Sequence, residues 1–82
     1  MALANTLRNE LLAIIMSCIS TEDVVRETRE FFTSCGLAEE FDVACTVTPH
    51  DGNASLRETQ HHFTVLGYAL IGRYTLFVDR YN

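Results

Sequence analysis

The chain has 82 residues, of which 48% are hydrophobic and 10% aromatic, and its formal net charge is −5. This length predicts a single domain over residues 1–82, and the hydrophobic content excludes an intrinsically disordered chain. A domain of this size buries only a small core, so we expect marginal stability unless a disulfide, a metal or a partner adds to it.

The negative charge is concentrated in one segment. Between Glu22 and Asp42 there are seven acids and two arginines, and the rest of the chain is neutral. Nucleic acid needs a basic surface, so we expect no direct nucleic-acid partner. An ordinary solvated helix surface is one interpretation; a contact with the basic surface of another protein is the other. The candidate contact residues are Glu22, Glu27, Glu30, Glu39 and Glu40.

The cysteines and the N-terminal residues predict a cytoplasmic protein. Cys18, Cys35 and Cys45 are an odd number without a C-x-x-C spacing, which argues against a closed disulfide framework. Unpaired cysteines are typical of a reducing compartment. The N-terminus has no basic signal region, and its apolar run over residues 11–16 is too short to cross a bilayer. We therefore expect neither secretion nor a membrane partner.

A first helix is predicted over residues 6–19. Leu7, Leu11 and Ile15 recur at helical spacing and define its buried stripe. A second apolar set widens this stripe and predicts burial on more than one side of the helix. That set is Leu12, Met16 and Ile19.

A second helix is predicted between residues 20 and 35. Ser20 and Asp23 have the spacing of a capping box. Val24, Thr28 and Phe31 then follow one helical stripe. Gly36 is the residue type expected just after a helix, because it adopts the left-handed conformation without strain.

The second half of the chain predicts an antiparallel sheet. Residues 41–48 alternate between apolar and polar or small side chains, as a half-buried strand does. Residues 63–81 are rich in aromatic and β-branched side chains, and Gly72-Arg73 fits a two-residue hairpin turn. The predicted fold is α+β, with both helices packed on one face of a sheet of about three strands.

A helix over residues 55–70 is the competing interpretation. Ser55 and Glu58 again have capping-box spacing, and Leu56, Phe63 and Leu70 lie near one helical face. This helix would leave Val65, Tyr68 and Ala69 off that face, and it would hold Gly67 in its interior at a cost of about 1 kcal/mol. We favour the strand on both grounds.

The predicted sheet leaves apolar side chains without cover. Two short helices cover one face only, and monomers rarely expose a large apolar patch. We expect a homodimer formed through the uncovered face, unless the strand register differs and a helix covers it. The self-association residues would be Leu66, Tyr68, Leu70 and Phe77.

The polar segment over residues 48–62 contains all three histidines and is the alternative candidate site. A small enzyme or a ligand- or metal-binding site would use Asp51, Glu58, His61 and His62. Neighbours in a strand point to opposite sides, so His61 and His62 would not share a metal, and their spacing matches no zinc pattern. A thiolate–imidazole pair of Cys45 with either histidine is a further possibility.

These patterns favour a non-enzymatic protein-interaction module over an enzyme. No nucleotide-binding or catalytic motif is present, and we expect no cofactor and no metal. An inhibitor or adaptor that docks on a larger macromolecule fits such a chain. Phage-encoded antagonists of nucleic-acid machinery are one example, given by analogy and not inferred from the residues.

Overall fold

The chain forms four α-helices in the computed structural model, which describes the backbone of residues 2–81 and the side chains of residues 4–74. The helices are α1 (Ala2–Ser17), α2 (Thr21–Ser34), α3 (Ala38–Val47) and α4 (Leu56–Tyr81). No strand occurs within the described backbone. The predicted α+β fold is therefore wrong, and the architecture is all-α.

The start of α2 agrees with the sequence-based prediction. Ser20 is its N-cap, and the Ser20 hydroxyl accepts a hydrogen bond from the backbone N–H of Asp23 at 3.1 Å. The Asp23 carboxylate accepts one from the backbone N–H of Ile19 at 3.4 Å. Two N–H groups next to the helix start thus find side-chain acceptors, which a helix needs at its N-terminus.

The end of α2 is a Schellman motif. Gly36 has a φ of +77°, the left-handed conformation predicted for it. The Leu37 N–H donates to the Phe32 carbonyl at 2.8 Å, and the Gly36 N–H donates to the Thr33 carbonyl at 3.1 Å. Leu37 and Phe32 are both buried, which gives the apolar contact that usually accompanies this motif.

Residues predicted as the first strand form most of α3. Phe41 is buried, and Ala44 and Cys45 are partly buried, three and four positions later. This spacing places one helical face against the core. Val43 and Val47, which the alternating pattern placed on the buried face of a strand, are exposed to solvent. Packing of the Phe41 side of α3 against the core therefore outweighs the alternating pattern that predicted a strand.

The predicted hairpin is also replaced by a helix. Ser55 precedes α4, and its hydroxyl accepts a hydrogen bond from the Glu58 N–H at 3.2 Å. The helix continues through both Gly67 and Gly72, so Gly72-Arg73 forms no turn. The competing helical interpretation of residues 55–70 is the correct one, and the helix extends further than it proposed.

The core lies where α4 contacts the other three helices. Leu11 and Ile15 come from α1, Phe32 from α2 and Phe41 from α3, and all four are almost completely buried. Phe32 stacks on Phe41 with ring centroids 5.5 Å apart, and Phe41 stacks on Phe63 of α4 at 6.1 Å. A row of aromatic rings thus connects α2 with α4 through α3.

The N-terminal helix is buried on one side only. Leu12, Met16 and Ile19, which predicted burial on a second side, are exposed. The prediction is wrong because α1 lies at the edge of the bundle and contacts α2 and α4 on one side. Within the described residues, no helix combines the length and the apolar character needed to cross a membrane.

Candidate docking groove

An apolar groove with a volume of about 580 Å³ runs between α3 and α4. Val43 and Val47 line its α3 side and are 62% and 72% exposed. Val65 lines its α4 side and is 56% exposed, and Leu66 and Ala69 lie beside it. Contiguous apolar side chains left open to solvent are typical of interaction surfaces.

The groove exists because each helix has apolar side chains in two directions. On α3, Phe41 and Cys45 are directed to the core, whereas Val43 and Val47, four positions apart, share the other side. A helix with a single apolar stripe would have left the groove side polar. The second stripe on α3 has no cover within the described structure, since Val43 and Val47 stay exposed.

The two ends of the groove are polar. At one end, Glu40 and Arg73 line a smaller adjoining cavity of about 330 Å³ with Tyr74. At the other end His61 and His62 line the groove. Glu58 is three and four positions before these histidines, so it lies one helical turn beyond them on a similar face of α4. The groove is therefore apolar in the middle and charged or polar at both ends.

A histidine contact fixes the connecting loop to α4. The His50 Nε2 atom lies 2.8 Å from the hydroxyl of Thr59, which is buried and also donates to the Ser55 carbonyl at 3.0 Å. The His50 and His62 rings have centroids 5.1 Å apart. The loop between α3 and α4 is thus held by side-chain contacts, although its sequence is polar.

The environment of His62 favours its neutral form. Burial lowers the pKa of His62 below its usual 6.5, and the neighbouring His50 and His61 lower it further. A hydrogen bond that the His62 ring donates to the Thr48 backbone opposes this shift by raising the pKa. The net effect makes protonation of His62 unfavourable in the folded protein.

The residues of the loop alternative do not converge on one point. Asp51 lies in the loop, where its carboxylate accepts a hydrogen bond from the Asn53 N–H at 3.0 Å. Glu58 and His61 are exposed, and the described side chains contain no group of three histidine, cysteine or acidic residues able to hold a metal. His61 and His62 both line the groove, contrary to the strand-based expectation, because neighbouring residues on a helix are only about 100° apart.

The cysteines are not activated nucleophiles. Burial raises the pKa of each of the three thiols above its usual 9.0, so they are protonated at neutral pH. Cys45 is influenced by Arg29 and Asp42 and by no histidine. A thiolate–imidazole pair needs the opposite, a lowered thiol pKa beside a histidine.

The acidic candidates lie on two helices. Glu22, Glu27 and Glu30 belong to α2, and Glu39 and Glu40 to the first turn of α3. Among the described side chains, no ion pair includes any of these candidates except Glu27.

Both arginines of the segment are engaged locally. Arg26 lies 2.8 Å from the Asp23 carboxylate and 3.3 Å from that of Glu27. Arg29 lies 3.6 Å from the Asp42 carboxylate and so connects α2 with α3. The remaining acids of this surface are left without a cation among the described side chains.

The three self-association candidates with described side chains do not share one face. Leu66 and Leu70 line the groove. Tyr68 is directed to α1, where the Arg8 guanidinium lies 5.3 Å from the centre of its ring. Phe77 lies outside the described side chains. The sheet face that joined these residues in the prediction is absent from the described structure, whereas the homodimer itself stays a prediction.

The sequence patterns do not predict the three exposed valines. Val43, Val47 and Val65 lie in predicted strands, and the alternating pattern places the first two on the inward face. The available signal was their spacing, since Val43 and Val47 are four apart and His61, Val65 and Ala69 recur every four positions. The spacing of Val65 and Ala69 is consistent with the competing helix over residues 55–70, whereas residues 41–48 were given no helical alternative.

The groove is assigned from its own geometry alone. No protein-family model matches this sequence, and neither the curated proteins nor the solved structures contain a match.

Proposed function

We propose that this chain is a small non-enzymatic protein-interaction module that receives a helical surface of a protein chain in the α3–α4 groove. Such a module acts as an adaptor or an inhibitor by occupying a surface of its partner. The groove is the observation that carries this proposal, because Val43, Val47 and Val65 are each more than half exposed along it.

The shape of the groove favours a helix as the occupant. Its α4 side extends from His61 to Arg73, twelve positions or about 18 Å of helix. An amphipathic helix of about three turns matches that length and would place apolar side chains at i, i+3 or i+4, and i+7 between the valines. A catalytic interpretation has less support, because no cysteine lines the groove and the pKa of each of the three thiols is raised.

The acids of α2 favour a second, electrostatic contact of the same module with a basic macromolecule. Glu22 and Glu30 are exposed and line a shallow depression together with Arg26, Arg29, His50 and Gly52. Arg26 and Arg29 contact Asp23 and Asp42, so Glu22 and Glu30 are left without an ion pair among the described side chains. This contact would steer a basic partner and set the preference for it.

Photo-crosslinking tests the groove directly. A photoreactive amino acid at Val65 should crosslink to a protein chain when the protein is expressed in cells, and mass spectrometry identifies the product. Met16 is the matched control position, since it is 61% exposed against 56% for Val65 but lies on α1, outside the groove. Crosslinks from position 65 that do not exceed those from position 16 would contradict the proposal.

A groove variant provides the second measurement. Val65→Asp places a charge in the apolar middle of the groove and should reduce binding of the crosslinked protein at least tenfold, because an unpaired charge is costly to bury. Met16→Asp should leave binding unchanged. Circular dichroism of both variants checks that the helices are retained.

A further inference from the structure

We propose that the protein chain in the groove is a second copy of this chain, bound antiparallel about a two-fold axis, and this inference rests on the proposed docking role of the groove. The α3–α4 surface would then contact the same surface of its partner. Most soluble oligomers are symmetric, and a two-fold interface requires a surface that is complementary to itself.

The charges on α4 meet that requirement. Glu58 and Arg73 have opposite signs, are both exposed, and lie fifteen positions apart, about 22 Å along the helix. Val65 and Leu66 are the two residues midway between them. No ion pair within the described side chains engages Glu58 or Arg73. Each charge is therefore available to a partner.

An antiparallel arrangement pairs both charges at once. If the two-fold axis passes between Val65 and Leu66, Glu58 of each copy lies opposite Arg73 of the other. The apolar middle of the groove then packs against itself, with Val43 and Val47 beside it. A parallel arrangement would instead put like charges together at both ends, which is unfavourable.

The spacing of the groove side chains supports a helix-to-helix contact. Glu58, His62, Val65 and Ala69 follow one another at intervals of four, three and four, the heptad-like pattern of paired helices. Ala69 is small enough to let two α4 helices approach closely. The area is modest, so we expect a reversible dimer with a Kd on the order of 10 µM.

Charge exchange tests this arrangement. Glu58→Arg and Arg73→Glu, each alone, put like charges opposite each other at both ends of the dimer and should weaken it about tenfold. The double variant Glu58→Arg with Arg73→Glu restores opposite charges and should recover the wild-type Kd. Light scattering or sedimentation equilibrium across a dilution series measures the molar mass, and Glu10→Arg, at an exposed position of α1 outside the groove, is the control that should change nothing.

The outcomes separate this inference from the proposed function. A wild-type monomer that crosslinks from position 65 to a different protein overturns the second copy and retains the docking groove. A monomer without such a crosslink overturns both. A dimer that is unaffected by the single charge changes uses another surface and also overturns the inference. The same holds for a dimer that is lost with Met16→Asp and kept with Val65→Asp.

Discussion

Gly67 shows how one residue can mislead a sequence-based prediction. A glycine inside a helix costs about 1 kcal/mol relative to alanine, and this cost favoured a strand for residues 63–71. In the structure, a Cβ at Gly67 would collide with the Leu11 side chain and lie 3.3 Å from the Phe32 ring. The missing side chain at Gly67 therefore lets α4 pack closely against Leu11 of α1 and Phe32 of α2.

The two glycines of α4 should respond oppositely to alanine. Gly67→Ala should lower the free energy of unfolding by about 1–2 kcal/mol, because overpacking against buried Leu11 outweighs the gain in helix propensity. Gly72→Ala should raise it by about 0.5–1 kcal/mol, since nothing lies within 4 Å of its Cβ position. Urea unfolding measures both. A stabilising Gly67→Ala would mean that the α1–α4 contact is looser than described.

The distribution of apolar residues along α3 and α4 explains why the sequence predicts a sheet. Each helix has apolar residues in two directions, so its sequence matches a period of two as well as a helical period. A buried stripe alone gives a clear helical pattern, as in α2, whose start, stripe and end agreed with expectation. The additional groove residues Val43 and Val47 hid that pattern in α3. The surface feature and the prediction error thus have the same cause.

The burial of His62 should make the free energy of unfolding depend on pH. The folded-state pKa of His62 is below the usual 6.5, mainly through burial, so below about pH 6.5 the unfolded chain takes up a proton that the folded chain resists. Stability should therefore be fully present above that pH and decrease as the pH falls through the folded-state pKa. The urea midpoint should drop between about pH 7.5 and pH 5.5.

Two substitutions test whether His62 causes this loss of stability at low pH. His62→Gln should reduce it, because the titrating group is removed. His61→Gln, at the exposed neighbouring position, should retain most of it. An equal drop in wild-type protein and His62→Gln would show that another group causes the pH dependence.

The length of α4 sets the long axis of the protein, and the uneven distribution of charge sets the electrostatics of its surface. Twenty-six residues of helix extend about 39 Å, close to the 41 Å long axis of the protein. The other three helices pack around this rod. The segment containing α2 and the start of α3 carries the entire negative excess, so the surface is electrostatically one-sided.

Because the acids are concentrated on α2 and α3, the protein should bind a synthetic arginine-rich peptide there. The wild-type protein should bind it more weakly as salt is raised from about 50 to 300 mM, because salt screens exposed charges. Glu22→Lys with Glu30→Lys should weaken binding about tenfold at low salt. His61→Ala with His62→Ala, in the polar segment, should leave it unchanged. Fluorescence anisotropy measures each Kd, and loss of binding in the histidine variant alone would favour the polar segment as the site.

The sequence alone determined the features that depend on neighbouring residues. The N-cap of α2 at Ser20, the end of α2 at Gly36 and the concentration of acids between Glu22 and Asp42 are all local. Only the tertiary structure decided that residues 41–47 and 63–81 are helical. The alternating pattern of the first segment and the glycines of the second favoured strands, and packing against a shared core outweighed them. The same packing brought Val43, Val47 and Val65 together from separate helices, and no local pattern places residues of different helices along one groove.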